Sequence, residues 1–380
     1  MKKERFFFPL EEYDHAGSTD DRILGEELIC SGKVGCVILA GGEGTRLGFN
    51  DPKALFPISI VKKKSLLQLV CEKTRAASKK AERKLPLAIM TSDSSYRQIE
   101  SFLQNNHFFD LSIDLFMQEM APILDDKGQP VLQNDTLIQA PSGNGSFFKS
   151  FFTSPIWKKW QDAGVLYVTI VPIDNPLGDP FDATLIGYHA RKQAEATVKA
   201  FLRENGEDQV GLIVKENNRT CVVEYSEIAE KERAMQNDDG SLKFNVSNTG
   251  LLCFSMDAIA RVAKQLLPQH FARKQYKERW IYKCETFIFD AFDFLEHVYV
   301  LIYAKEHIFA PLKNATGVAS IESVQKALLA SDRRVYATIS GLPAPNKTFE
   351  LSQEFYYPTQ ELLQKWQGKP LPDCDYIEAT

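Results

Sequence analysis

The 380-residue chain predicts an α/β fold: a mixed, mostly parallel sheet flanked by helices. Three observations predict it. Residues 34–40 form an apolar run of strand length that ends at Gly41, as a strand buried on both faces does. Residues 65–84 carry apolar side chains at 66, 67, 69, 70, 76 and 77, the pattern of an amphipathic helix started by Ser65. Two further strand-like runs, 85–90 and 112–118, flank a helical stretch over 94–106 that Ser92 or Asp93 can cap. Alternating strands and helices require right-handed crossovers between parallel strands, a Rossmann-like arrangement.

The elements that follow continue the theme. Residues 124–139 contain DDKGQP and LQND, turn signals between short strand-like pieces. Residues 165–172 read as a buried strand ended by PIDNPLGDP, with a helix over 182–193 behind it. Strands are expected at 196–202, 210–215 and 220–225, the last two a hairpin across ENNR. Residues 258–267 and 285–295 read as helices, 298–304 as a strand and 320–330 as a further helix. The tail from Pro343, rich in Pro, Gln and aromatic residues, is expected to be irregular or lightly packed. The expected domains are an N-terminal extension over 1–31, a catalytic domain over 32–317 and a short C-terminal segment over 318–380.

Composition narrows the class. A formal net charge of -5 argues against a broad basic face for nucleic acid, while leaving room for a small anion held by local cations. No run of 18 apolar residues occurs, so no spanning helix is expected. The N-terminal MKKERFFFPLEEYDH has too short an apolar run for a signal core. Its three phenylalanines at 6–8 suit packing or a partner contact. The 7 cysteines are scattered and lack a CxxC spacing, which points to a reducing, cytoplasmic setting rather than a disulfide or zinc framework.

The chemistry concentrates in VILAGGEGTRLGFNDPKALFP, residues 37–57. Glycines at the end of a buried strand let the main chain turn and approach a ligand, and the freed N–H groups cradle anions. Arg46 and Lys53 add charge for phosphate. The Walker pattern fails because Thr45-Arg46 follows Gly44, and the dinucleotide GxGxxG fails because Gly48 falls one place late.

The loop resembles the GGxGTRLGxxxPK signature of sugar-nucleotide pyrophosphorylases, and most closely that of the eukaryotic-type UDP-N-acetylhexosamine (UDP-GlcNAc) pyrophosphorylase family. The resemblance continues in order through MTSDSSYRQIESFLQNNHFFDL, FMQEMAPILD, APSGNGSF, IDNPLGDP, VVEYSEI, FNVSNTG, KCETFIFDAF and APLKNATG, over about residues 32–317. It implies the fold of nucleotide-diphospho-sugar transferases, which is GT-A-like. It also implies uridylyl transfer from UTP to a sugar 1-phosphate, giving a UDP-sugar and pyrophosphate, with N-acetylglucosamine 1-phosphate the preferred acceptor and Mg²⁺ (or Mn²⁺) the cofactor. By the same resemblance Gln118 reads uracil, and Gly41, Gly42, Gly143, Asn144 and Gly145 bring main chain or amide to the nucleotide. Asp174 holds the metal, Lys313 lies near the phosphates, and Glu224 and Asn248 bind the sugar, with weaker claims for Asn175 and Asn245. The chain departs from the pattern at Ala54, Met117, Ser142 and Ser146, which bears on base and sugar contacts.

Two polyanions must meet, so charge and alignment are the obstacle, and an ionised phosphate needs no general base. That agrees with the absence of a histidine motif among the 6 histidines. Each residue also has a plainer reading. Arg46 suits a surface ion pair, Lys53 and Lys313 suit solvated lysines, and Asp174 suits a turn or helix cap before Pro176. Gln118 suits a polar strand end, Asn144 a turn former, and Glu224 and Asn248 exposed polar positions. Three rivals follow: a UDP-glucose or broad UDP-sugar pyrophosphorylase, a silent sugar-nucleotide binder with a regulatory role, and a dinucleotide dehydrogenase. The oligomeric state, monomer or small homo-oligomer, stays open.

Overall fold

The computed structural model describes residues 6–379 apart from 207, 209, 226, 277 and 278. Helix α1 (Thr19–Cys30) precedes strand β1 (Val34–Leu39), whose six residues are all buried. Helix α2 (Leu66–Lys80) starts where the Ser65 hydroxyl accepts from Gln68 N–H at 3.1 Å, and leads to β2 (Leu87–Thr91). Helix α3 (Asp93–Asn105) begins on a reciprocal Ser92–Ser95 cap and leads to β3 (Ile113–Met117). Each starts within a residue or two of the place where the hydroxyl caps predict it.

Helices α4 (Phe147–Thr153) and α5 (Pro155–Asp162), which the sequence reading did not anticipate, carry the chain back to β4 (Tyr167–Pro172). Then come α6 (Ala183–Arg191), β5 (Ala196–Leu202), the hairpin β6 (Leu212–Glu216) and β7 (Arg219–Val223), β8 (Val246–Ser255) and α7 (Met256–Val262). A second hairpin, β9 (His270–Tyr276) and β10 (Arg279–Glu285), precedes β11 (Val298–Ile302), α8 (Ile321–Ser340) and α9 (Gln360–Trp366).

The main sheet runs Asp14–His15, β11, β5, β8, β4, β1, β2, β3. Along this path all neighbours are parallel except β8, which is antiparallel to both β4 and β5; β6, β7 and Phe8–Pro9 join the same sheet beside β8 in antiparallel pairs. The sheet is therefore mixed and mostly parallel, as the sequence predicts. Its two faces bury two cores. Val34, Cys36 and Ile38 of β1 face α2 and α3, and Val37 and Leu39 face the Phe147, Phe148, Phe151 and Trp160 layer of α4 and α5. From β1 the chain steps outward to β2 and β3, then returns to the other side as β4. The carboxyl ends of β1 and β4, where Leu39 lies opposite Pro172, thus form the switch point at which open α/β sheets place ligands.

Three expectations need correction. Residues 285–295 are not a helix: β10 runs to Glu285, and a short 3₁₀ turn covers Ile288–Phe294. The apolar spacing there serves buried aromatic packing, and Asp290 accepts from Phe287 N–H at 2.9 Å to close the turn. The helix expected at 320–330 extends to Ser340, where Gly341 takes a left-handed φ of 70° and ends it. The tail is not loosely packed, because Tyr336, Phe349, Leu351, Phe355, Leu362, Trp366 and Ile377 bury one another in a core of their own.

The two ends of the chain are also built into the body. Phe8–Pro9 pairs with β6, and Phe7 packs against the core under the β6–β7 hairpin while Phe6 and Phe8 are exposed. Asp21 of α1 receives Arg191 of α6 at 2.6 Å. Val324 of α8 and Tyr357 sit in the same core as β1.

Candidate functional site

A cleft of about 340 Å³ opens at the switch point. Its walls include Gly41, Gly42, Lys53, Gln118, Gly143, Asn144 and Asp174, brought from five separate segments to one place. The reason is topological: β1, β3 and β4 end along the same edge, so a residue just past each strand reaches it.

Gln118 directly follows β3, and its N–H donates to Thr91 O at 2.9 Å. Its side chain is buried against Gly41, where a Cβ would collide with the amide nitrogen. The missing side chain at Gly41 thus leaves the room that the Gln118 amide fills. Lys53, half-buried at the start of a 3₁₀ turn, donates from Nζ to Leu312 O at 3.3 Å and stands 3.7 Å from the Asp174 carboxylate. Arg46 is exposed, without a hydrogen bond or ion pair among the described residues, and does not line the cleft.

The 142–146 loop is stitched to residues 285–288. Gly145 N–H donates to Thr286 O at 2.9 Å, Thr286 N–H to Ser142 O at 2.8 Å, and Ile288 N–H to Asn144 Oδ1 at 3.0 Å. Gly143 has φ 89°, and a Cβ there would strike the Thr286 carbonyl. Gly145 is buried behind it, with its N–H committed to the main chain. The serines that depart from the family pattern have local work: Ser142 Oγ donates to Glu119 O at 2.8 Å and Ser146 Oγ to Gly143 O at 2.7 Å.

Glu224 and Asn248 form a second group outside the cleft wall. They flank Gly211: Glu224 Oε1 and Asn248 Cβ lie 3.6 and 3.7 Å from where its Cβ would stand. Burial pushes the Glu224 carboxyl up, and the nearby Lys313 and His270 charges pull it back. Lys313 comes directly after Leu312, whose N–H donates to Asp174 O at 2.7 Å. Asn175 is buried, and Asn245 gives its carbonyl to Arg203 N–H at 2.7 Å.

Glu285 and Phe287 line the cleft and were not singled out in the sequence. The β-rich run RWIYKCE ending at Glu285 is the signal that locates them at a strand end. His270 Nε2 pairs with Asp290 at 3.0 Å, and its ring lies 4.4 Å from that of Phe287, which it supports from behind.

Among the described residues no group of three or more His, Cys, Asp and Glu side chains forms a metal cage. Asp174 and Glu285 are the carboxylates of the cleft. One or two carboxylates, completed by phosphate oxygens and water, is the usual protein share of a Mg²⁺ site, so this donor set fits such an ion. A larger cavity of about 700 Å³, lined by Lys73, Asp179, Asp182 and Lys199, lies between the sheet and α8. It holds none of the candidate site residues, although Pro176, Leu177 and Asp179 of the IDNPLGDP run line it, and its Lys199 pairs with Asp182 at 2.6 Å.

A family model described as UTP–glucose-1-phosphate uridylyltransferase matches residues 12–357. The UDP-N-acetylglucosamine pyrophosphorylase of Saccharomyces cerevisiae is 32% identical over 322 residues, covering 77% of this chain and 67% of that one. Among solved structures, the uridine diphosphate N-acetylglucosamine pyrophosphorylase of Trypanosoma brucei superposes with a TM-score of 0.85 at 25% identity, over 94% of this chain and 82% of that one. The UDP-glucose phosphorylase of the same organism shares the fold at a TM-score of 0.67 and 19% identity, over 80% and 68% of the two chains.

Proposed function

The chain belongs to the UTP–glucose-1-phosphate uridylyltransferase family, and from that premise we propose that it transfers uridylyl from UTP to N-acetylglucosamine 1-phosphate, forming UDP-N-acetylglucosamine and pyrophosphate. The observation that carries the reading is the convergence of Gly41, Gly42, Gln118, Lys53 and Asp174 on one cleft at the sheet's switch point. The choice of sugar is supported by the N-acetylglucosamine relatives, which match at higher identity and TM-score than the UDP-glucose enzyme does. The family model's own description keeps glucose 1-phosphate as the second reading.

A non-bridging oxygen of the sugar phosphate attacks the α-phosphorus of UTP in line. A new P–O bond forms there while the α–β bridging bond breaks, and its electron pair leaves with pyrophosphate. The attacking oxygen is already ionised and the bridging oxygen leaves as an anion, so no side chain need move a proton. The chain's task is to align the anions and hold charge against them.

Gln118 offers a donor and an acceptor to one edge of uracil. Gly41, Gly42, Gly143 and Asn144 pack along the nucleotide, with Gly145 setting the backbone of that loop. Lys53 and Arg46 stabilise charge on the departing pyrophosphate, the exposed Arg46 by folding in toward it. Lys313 lies between the acceptor phosphate and the α-phosphate, and Glu224 and Asn248 take the sugar. Asp174, with Glu285 in the same cleft wall, would hold Mg²⁺, which supplies charge neutralisation on the phosphates when bound. The 7 free cysteines suit a reducing cytoplasm.

The test is a pyrophosphate-release assay with UTP, Mg²⁺ and a panel of sugar 1-phosphates. Fastest turnover with N-acetylglucosamine 1-phosphate is expected. Preference for glucose 1-phosphate moves the protein to the second reading, and no turnover with any sugar makes it a binder.

A further inference from the structure

The two residues that follow β4 and Ile173 divide their work. Asp174 looks into the cleft, whereas Asn175 is only 2% exposed and does not line it. The Asn175 amide bridges a segment more than a hundred residues away. Its Nδ2 donates to Ile308 O at 2.7 Å, and its Oδ1 accepts from Ala310 N–H at 3.1 Å. Two residues on, Leu312 N–H donates to Asp174 O at 2.7 Å, and Leu312 O accepts from Lys53 Nζ at 3.3 Å. Lys313 comes next.

Three chain segments therefore meet: the glycine-rich loop with Lys53, the strand end with Asp174, and the 308–313 segment with Lys313. The first and third share the buried core and are joined by the Lys53-to-Leu312 carbonyl bond. Asn175 adds a two-point grip on the third, and only a side-chain amide offers donor and acceptor side by side in this way. We propose that Asn175 is a positioning residue, which sets the 308–313 segment in register and so fixes Lys313 relative to Asp174 and Lys53. It touches no substrate. The inference rests on the proposed role of Lys313.

The consequence is specific. Lys313 acts on the acceptor side of the reaction, so loosening its segment harms alignment and leaves the uracil end alone. Misplacing a charged group by about an ångström costs on the order of a hundredfold in rate. Asn175→Asp is the conservative probe, since its carboxylate still accepts from Ala310 N–H but repels the Ile308 carbonyl.

The experiment compares Asn175→Asp, Asn175→Ala, Lys313→Ala and the Asn175→Asp/Lys313→Ala pair in the full chain. It measures pyrophosphate release, UTP affinity by calorimetry, and amide hydrogen exchange of the metal-free protein. We expect Asn175→Asp to lower kcat by about ten- to a hundredfold, with UTP affinity within about threefold. Exchange should rise at 310–313 and not across the sheet. In the Lys313→Ala background the same change should cost less than about threefold, because the group it positions is gone.

If Lys313→Ala alone turns over normally, the assigned role of Lys313 falls and this inference with it. If Lys313→Ala is impaired and the two losses simply multiply, the positioning role of Asn175 is overturned while the function stands. Should Asn175→Ala fail to fold, the aspartate variant still decides. A lower Tm with unchanged kcat in that variant would reduce Asn175 to a structural bond.

Discussion

Gln118 owes its position to a neighbour that has no side chain. A methyl on Gly41 would occupy the space of the Gln118 amide, so Gly41→Ala is expected to expel that amide from the cleft. Losing one or two hydrogen bonds to uracil is worth about 1–2 kcal/mol, roughly a tenfold weaker UTP affinity, which calorimetry would read. Unchanged affinity would remove Gln118 from base recognition. Asp174 is argued on different ground, because it stands 3.7 Å from Lys53 with its side chain 26% exposed, so solvent and a cation can reach it. Asp174→Asn should lower kcat by at least about a hundredfold while UTP binding shifts only severalfold. Near-normal turnover in the purified variant would end its metal role. Both residues were singled out in the sequence by motifs that resemble those of the pyrophosphorylases, and the structure puts both at the cleft, Gln118 just after β3 and Asp174 two residues past β4. Glu285 and Phe287 were not, since the apolar spacing of residues 287–295 imitates a helix that aromatic packing forbids.

At the level of elements, β1, β2, β3, α2 and α3 were readable because their signals are local: continuous apolar runs, a helical stripe, and the hydroxyl caps Ser65 and Ser92. The C-terminal tail was misread for the opposite reason. Its short strand Glu350–Leu351, 3₁₀ turn and α9 show little periodicity alone, and they are held by contacts with α8 and with each other. Trp366 is central: it is 3% exposed, its ring lies 5.0 Å edge-on from Phe355, and its Nε1 donates to Ala379 O at 3.2 Å. Trp366→Ala is therefore expected to cost about 3–5 kcal/mol in denaturant unfolding. A loss under ~1 kcal/mol would mean that the tail is loosely packed after all.

At the level of the molecule, α8 meets the sheet across a seam of buried charge. Lys73 Nζ donates to Pro176 O at 2.7 Å and Gly178 O at 2.9 Å, just behind the strand end that carries Asp174. Asp332 of α8 accepts from Tyr356 O–H at 2.7 Å and from Leu351 N–H at 3.3 Å. Burial pushes the Asp332 carboxyl up to about 7, against the pull of those hydrogen bonds. The unfolded chain releases that proton near the ordinary carboxylate pKa of about 4, whereas the folded chain keeps it to about 7. The folded state binds more protons across that window, so this group's stabilising contribution falls as pH rises from about 4 to about 7. The slope is at most ~1.4 kcal/mol per pH unit. Asp332→Asn keeps an acceptor for Tyr356 and has no charge to gain. Relative to the parent it should become progressively more stable over that range, and a difference that stays constant with pH would refute the account.

Taken alone, the sequence determined the class of chemistry through the ordered resemblance of its motifs to those of sugar-nucleotide pyrophosphorylases. It also places a glycine turn, a glutamine and an aspartate each at or near the end of a strand-like run, and parallel strands must deliver such residues to a single edge. Tertiary structure decided which groups stand together there: Glu285 within the cleft, Arg46 outside its wall, and Asn175 turned inward to grasp a segment far along the chain. The physical reason is range. Period, capping and turn chemistry are written within a few neighbouring residues, whereas a bond between distant segments exists only after burial has brought them together and removed the water that would otherwise satisfy them.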